Sequence, residues 1–176
     1  MDLLETVQKN LGYGPLKKVD PNTQEIKDAR AMTADQKLAQ AAIPAVLAAL
    51  IKYSDGTEGI NIMTKENDNW LNRIYNGKEN YAAKQVADYA GVSEVDAANA
   101  MEKITEESVS VVRQNVKNAD AEKLRSYMNS QRHSILNHLP AVLKIGDLLN
   151  EENFDDRTNK MEGPVSSFMH KIENLL

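Results

Sequence analysis

Apolar residues recur at helical spacing along most of the chain. Leu3, Leu4, Val7 and Leu11 fall at i, i+1, i+4 and i+8, which predicts a helix over residues 2–11 ended by Gly12 and Gly14-Pro15. Residues 12–31 are rich in Lys, Asp, Pro and Asn and predict a loop with a short helix over 24–31. The most apolar window follows, over 33–53. Thr33 and Gln36 have the spacing of a capping box, in which the hydroxyl accepts from the Gln36 amide and the Gln36 side chain reaches back. Leu38, Ala41, Ala42, Ile43, Ala45 and Val46 then give so broad an apolar surface that the helix must be covered on more than one side. Pro44 interrupts this pattern. It lacks an amide proton, and its ring presses on the carbonyl of Gln40, at a cost of about 3 kcal/mol in a helix interior. Either the helix kinks there, or one helix ends near Ala42 and another carries Pro44 in its first turn.

Residues 54–59 read as a loop, and the Trp70 end of 60–75 as a helix with Leu71 and Ile74. Asn76-Gly77 is a turn, but its flanks do not alternate, so no hairpin is predicted. A helix over 81–89 turns Val86 and Tyr89 inward and closes at Gly91. Ser93 caps a long helix with Asp96 at its third position, and Val95, Ala98, Met101, Ile104, Ser108, Val112 and Val116 form the predicted seam. Asp120 caps the next, with Leu124, Tyr127, Met128, Ile135, Leu136 and Leu139 inward. Pro140 interrupts that helix as Pro44 does the first, and Leu143, Ile145, Leu148 and Leu149 continue it. An acidic loop over 150–163 leads to a last helix from Gly163-Pro164, whose apolar face is Val165, Phe168, Met169, Ile172, Leu175 and Leu176.

These elements predict an all-α fold: a single globular helical domain, 1–176, of six to eight helices. Ile43-Pro44-Ala45-Val46-Leu47 returns as Leu139-Pro140-Ala141-Val142-Leu143, which offers two related halves, 1–76 and 77–176, as a finer partition. On that reading both segments are buried, and each proline marks a kink or a helix start.

Composition fits this picture. Hydrophobic residues make up 41% and charged residues 27% of the 176, as in a soluble globular protein. Aromatics are only 5%, so the core is aliphatic. The absence of cysteine excludes disulfides, thiolate nucleophiles and Cys-ligated metals. The net charge of −5 opposes non-specific attraction to phosphate backbones. The N-terminal residues lack the basic region and apolar run of a signal peptide, and 41–51 is shorter than the about 20 residues that span a bilayer. A cytoplasmic protein is expected.

Gln40-Ala41-Ala42-Ile43-Pro44-Ala45-Val46-Leu47, Gly91-Val92-Ser93-Glu94-Val95-Asp96-Ala97-Ala98 and the opening Met1-Asp2-Leu3-Leu4 resemble segments of a family of bacterial proteins, the YidB-like domain of unknown function. The resemblance covers residues 1–118. The chain departs from the family in lacking long Gly-rich stretches. What the resemblance implies is a bacterial helical protein with no assigned reaction.

Candidate chemistry is sparse. His133 and His138 are five apart and do not share a helix face, so neither they nor His170 predict a metal site. Asp147, Glu151, Glu152, Asp155 and Asp156 lack the register of a calcium loop and read as a solvated acidic segment. Gly12-Tyr13-Gly14-Pro15-Leu16-Lys17-Lys18 has the wrong spacing for a phosphate-binding loop. Ser166-Ser167 with His170 has no third, orienting group. No catalytic, cofactor-binding or metal-binding residue is assigned. The remaining signal is a basic face, Arg113, Lys117, Lys123, Arg125 and Arg132, beside the acidic segment. The expected function is therefore a non-enzymatic protein-interaction or scaffold module, which self-association would suit. The alternative is a nucleic-acid-binding helical domain using the 113–133 face.

Overall fold

The structure, a computed structural model, describes residues 2–66, 69–151 and 154. Eight α-helices and no strand occur among the described residues: α1 Leu3–Asn10, α2 Ala34–Asp55, α3 Asn61–Thr64, α4 Trp70–Ile74, α5 Glu79–Ala90, α6 Glu94–Asn115, α7 Ala121–Leu136 and α8 Ile145–Leu149. None of them is long and apolar enough to cross a membrane. The helix expected beyond Gly163 lies outside the described residues.

The architecture is one helix wrapped by others. Every residue of α2 from 39 to 51 is buried, and α1, α4, α5, α6, α7 and α8 all pack against it. The alanines at 41, 42, 45, 48 and 49 explain how so many neighbours fit, because small side chains bring helix backbones together. The capping box is formed: Thr33 Oγ1 accepts from the Gln36 amide at 3.2 Å, and Gln36 Oε1 accepts from the Thr33 amide at 2.9 Å. Pro44 neither ends nor starts a helix. α2 runs through it, so of the two alternatives the break near Ala42 is absent. The ten helical residues before the proline, and burial on every side, offset the lost backbone bond.

Local capping also sets α6 and α7. Ser93 Oγ accepts from the Asp96 amide at 3.0 Å, and Asp120 Oδ1 accepts from the amides of Glu122 and Lys123. The Asp120 carboxyl is held below its usual range, chiefly by the capping bond from the Lys123 amide, with the Glu122 amide and the Lys123 charge adding to it. Gly91 closes α5 in the left-handed region at φ 71°. The α6 seam begins at Ala97 and Ala100, not at Val95 and Ala98: Val95 is 68% exposed. The true frame runs through Ala97, Met101, Ile104, Ser108 and Val112, and Val95 is turned away from it. The short helix expected over 24–31 is reduced to one 3-10 turn, Ala29–Ala31, because Gln24 and Asp28 take left-handed backbone conformations.

The second Pro-Ala-Val-Leu segment does not repeat the first. α7 ends at Leu136, Pro140 is extended, and Ala141–Leu143 is a single 3-10 turn. Leu139 and Leu143 are buried, but Val142 is 54% exposed, so the expected burial of both segments fails at that residue. One side chain links the two. Gln40, fully buried in α2, accepts from the Lys17 amide at 2.8 Å and donates to the carbonyls of Lys17 at 3.0 Å and His138 at 2.8 Å.

Candidate functional cleft and groove

A cleft of about 790 Å³ lies at the C-terminal end of α2. Its walls are Lys52 and Tyr53 of α2, the 56–58 loop, the run 72–78 from α4 to α5, and Leu148, Leu149 and Asn150 at the end of α8. Several local features build it. Gly56 ends α2, and the chain folds back so tightly that a Cβ on Gly59 would press on the backbone of Ser54. Asn69 caps α4 by accepting from the Asn72 amide at 3.1 Å. Asn76 and Gly77 both take positive φ, 50° and 78°, to turn the chain into α5. Behind the wall, Trp70 meets Tyr53 edge-on at 6.4 Å, and the Arg113 guanidinium lies 5.7 Å from the Trp70 ring.

The cleft reverses the sign of the whole chain. Lys52, Arg73 and Lys78 line it against Glu58 alone among acidic lining residues. Lys52 Nζ meets Glu151 at 2.8 Å, Arg73 meets Glu58 at 3.7 Å, and Lys78 Nζ donates to the Leu148 carbonyl at 3.1 Å. Four asparagines, Asn69, Asn72, Asn76 and Asn150, complete a lining rich in amide donors and acceptors. The hydroxyls of Tyr53 and Tyr75, two of the lining residues, are themselves buried and, like those of Tyr89 and Tyr127 elsewhere, have no hydrogen-bond partner among the described residues. Desolvation pushes the Tyr75 phenol far above its ordinary value, so it remains a neutral donor.

Beyond the Lys78–Leu148 bond lies a smaller groove of about 400 Å³ between α5 and α8. Lys78, Tyr81 and Gln85 line one side, and Lys144, Asp147 and Leu148 the other. Tyr81 is 68% exposed. Lys144 is exposed, makes no ion pair among the described residues, and takes a left-handed backbone conformation at φ 49°.

The basic residues singled out in the sequence are dispersed. Arg113 is spent inside the fold: Nε donates to the Ile62 carbonyl at 2.6 Å and Nη2 to that of Lys65. Arg132 faces Glu151 at 3.7 Å and stacks 4.6 Å from the Phe154 ring. Lys123 meets Asp120 at 3.7 Å, while Lys117 and Arg125 are exposed. Of the acidic segment, Glu151 joins Lys52 and Arg132, and Glu152, Asp155 and Asp156 lie outside the described residues. His133 is exposed against Asn137, His138 Nδ1 is 2.8 Å from the Ser134 carbonyl, and Ser166, Ser167 and His170 lie outside the described residues. No group of three or more potential metal ligands occurs among the described residues. The cleft residues carry no linear motif. Their only sequence signal is the density of asparagine over 67–76, which reads equally well as turn chemistry.

Comparison with protein-family models, with curated proteins and with solved structures gave no match.

Proposed function

We propose that the protein is a non-catalytic interaction module that holds a segment of a partner protein in the α5–α8 groove. The observation that carries this reading is the groove itself: an exposed tyrosine and a half-buried leucine flanked by Lys78 and by Lys144, which makes no ion pair among the described residues, with Asp147 the single acid among its lining residues. Exposed aromatic side chains beside apolar ones supply binding area, and lysines at the edge steer an acidic partner. The segment it suits carries one apolar side chain with carboxylates on either side. A nucleic-acid role through 113–133 draws less support, because Arg113 and Arg132 serve the fold. The resemblance over residues 1–118 adds a bacterial setting to the same reading.

Affinity capture with the native chain, Tyr81→Ala and Lys144→Glu tests it. A discrete partner retained by the native chain and reduced about tenfold by both substitutions, a change of ~1.4 kcal/mol, is the expected result. Equal retention by all three, or no partner retained by the native chain, refutes the proposal.

A further inference from the structure

The larger cleft has a different chemistry from the groove, and its properties stand independently of any protein partner. We propose that it binds a small organic anion, a sugar phosphate or sugar acid, with the charged group against Lys52 and Lys78 and the hydroxyls against the asparagine amides. Three observations support this. Lys52, Arg73 and Lys78 outnumber Glu58 and Glu151, the carboxylates that meet them in ion pairs, in a chain of net charge −5, which favours anions there. An ammonium has three donors, and Lys52 and Lys78 each spend one on a hydrogen bond, to Glu151 and to the Leu148 carbonyl. The side chains of Asn76 and Asn150 make no hydrogen bond within the described residues, and each residue is held by a left-handed backbone at the cleft wall.

The volume, about 790 Å³, is within the range that encloses a metabolite-sized ligand. Ile74, Leu148 and Leu149 add apolar contact to the amides of the lining, which suits a sugar ring with its apolar face and polar rim. Arg73 adds a third cation to the lining, 3.7 Å from the exposed Glu58.

The test is a titration of the full chain followed by amide NMR at about 0.15 M salt, where surface attraction is screened within roughly 8 Å. The probes are glucose 6-phosphate, glucuronate, inorganic phosphate and glucose. Saturable shifts at Asn72, Tyr75, Gly77 and Asn150 with one or both sugar anions are expected, at a midpoint at least about tenfold below those of inorganic phosphate and glucose. Lys78→Gln and Lys52→Gln should each raise that midpoint several-fold, and both retain the dispersed spectrum of the fold. The proposal is overturned if neither sugar anion shifts these amides saturably. It is overturned equally if inorganic phosphate or glucose matches the sugar anion, or if neither substitution changes the midpoint. Tyr81→Ala leaves this midpoint unchanged, which separates the cleft from the partner groove.

Discussion

Ile43-Pro44-Ala45-Val46-Leu47 and Leu139-Pro140-Ala141-Val142-Leu143 share four of five residues and have opposite structures. The first is the buried middle of a 22-residue helix; the second is an extended proline and a single 3-10 turn with its valine half in solvent. The difference lies in what precedes each proline. Pro44 comes ten residues after a formed capping box, when the helix is already propagating and each further bond is cheap. Pro140 comes just past Leu136, where α7 has ended and Asn137 closes it, and proline disfavours helical geometry at the Leu139 before it. The Ala-rich flank of Pro44 lets six helices close on it, whereas Lys144 follows the second segment in a left-handed conformation that ends the turn. A five-residue motif therefore does not specify conformation. Its position relative to the nearest helix cap does.

The sharpest way to break this contrast is to truncate matching side chains. Leu47→Ala should cost about 2–5 kcal/mol in urea unfolding, as for a fully buried leucine surrounded on all sides. Val142→Ala should change stability by less than about 0.5 kcal/mol, and a larger loss would show that the second segment is as buried as the first. Next comes the link between them. Gln40→Leu leaves the Lys17 amide and the Lys17 and His138 carbonyls without their partner, and should cost about 1–3 kcal/mol. A neutral result would mean that the two segments are not held together through this side chain. The prolines should then differ in sign. Pro44→Ala restores a helical amide and should be neutral or stabilising by up to ~1 kcal/mol. Pro140→Ala frees the unfolded chain at an extended position and should destabilise by about 0.4–1 kcal/mol.

The smallest expected effect concerns pH. Glu25 accepts from the Val142 amide at 2.8 Å, and burial raises its carboxyl above the ordinary value despite that bond. Between the unfolded and the raised folded value, the native state binds more protons, so the contribution of Glu25 to stability falls as pH rises through that window. Glu25→Gln keeps an acceptor for Val142 and removes the titration. Its stability, relative to the native chain, should therefore increase on going from about pH 4 to pH 6. No such dependence should follow Leu47→Ala, since no titratable side chain lies between 41 and 51.

The same reasoning explains what could be read from the chain beforehand. The caps at Thr33, Ser93 and Asp120 were legible because donor and acceptor lie two or three residues apart. The helical class followed from periodicity. The α6 seam was displaced at its first turn, because Val95 is apolar but lies off the stripe that Met101 and Ile104 define. What needed the fold was anything made across it. Gln40 looks like an ordinary helix residue until Lys17 and His138 converge on it. Arg113 and Arg132 look like a basic face until Trp70 and Phe154 receive them. The cleft collects residues from four separate stretches, none with a motif of its own.

The complete enclosure of α2 has a consequence for synthesis. Its apolar length is made early, yet α5, α6 and α7, which cover it, follow over the next eighty-odd positions. At roughly 5–20 residues per second, the uncovered segment waits several seconds for its partners. During that interval 39–51 presents apolar surface on every side, the kind of surface that chaperones bind and that associates between nascent chains. The helix that organises the finished protein is thus the greatest hazard of the unfinished one, and the emergence of α7 and then α8 completes its cover.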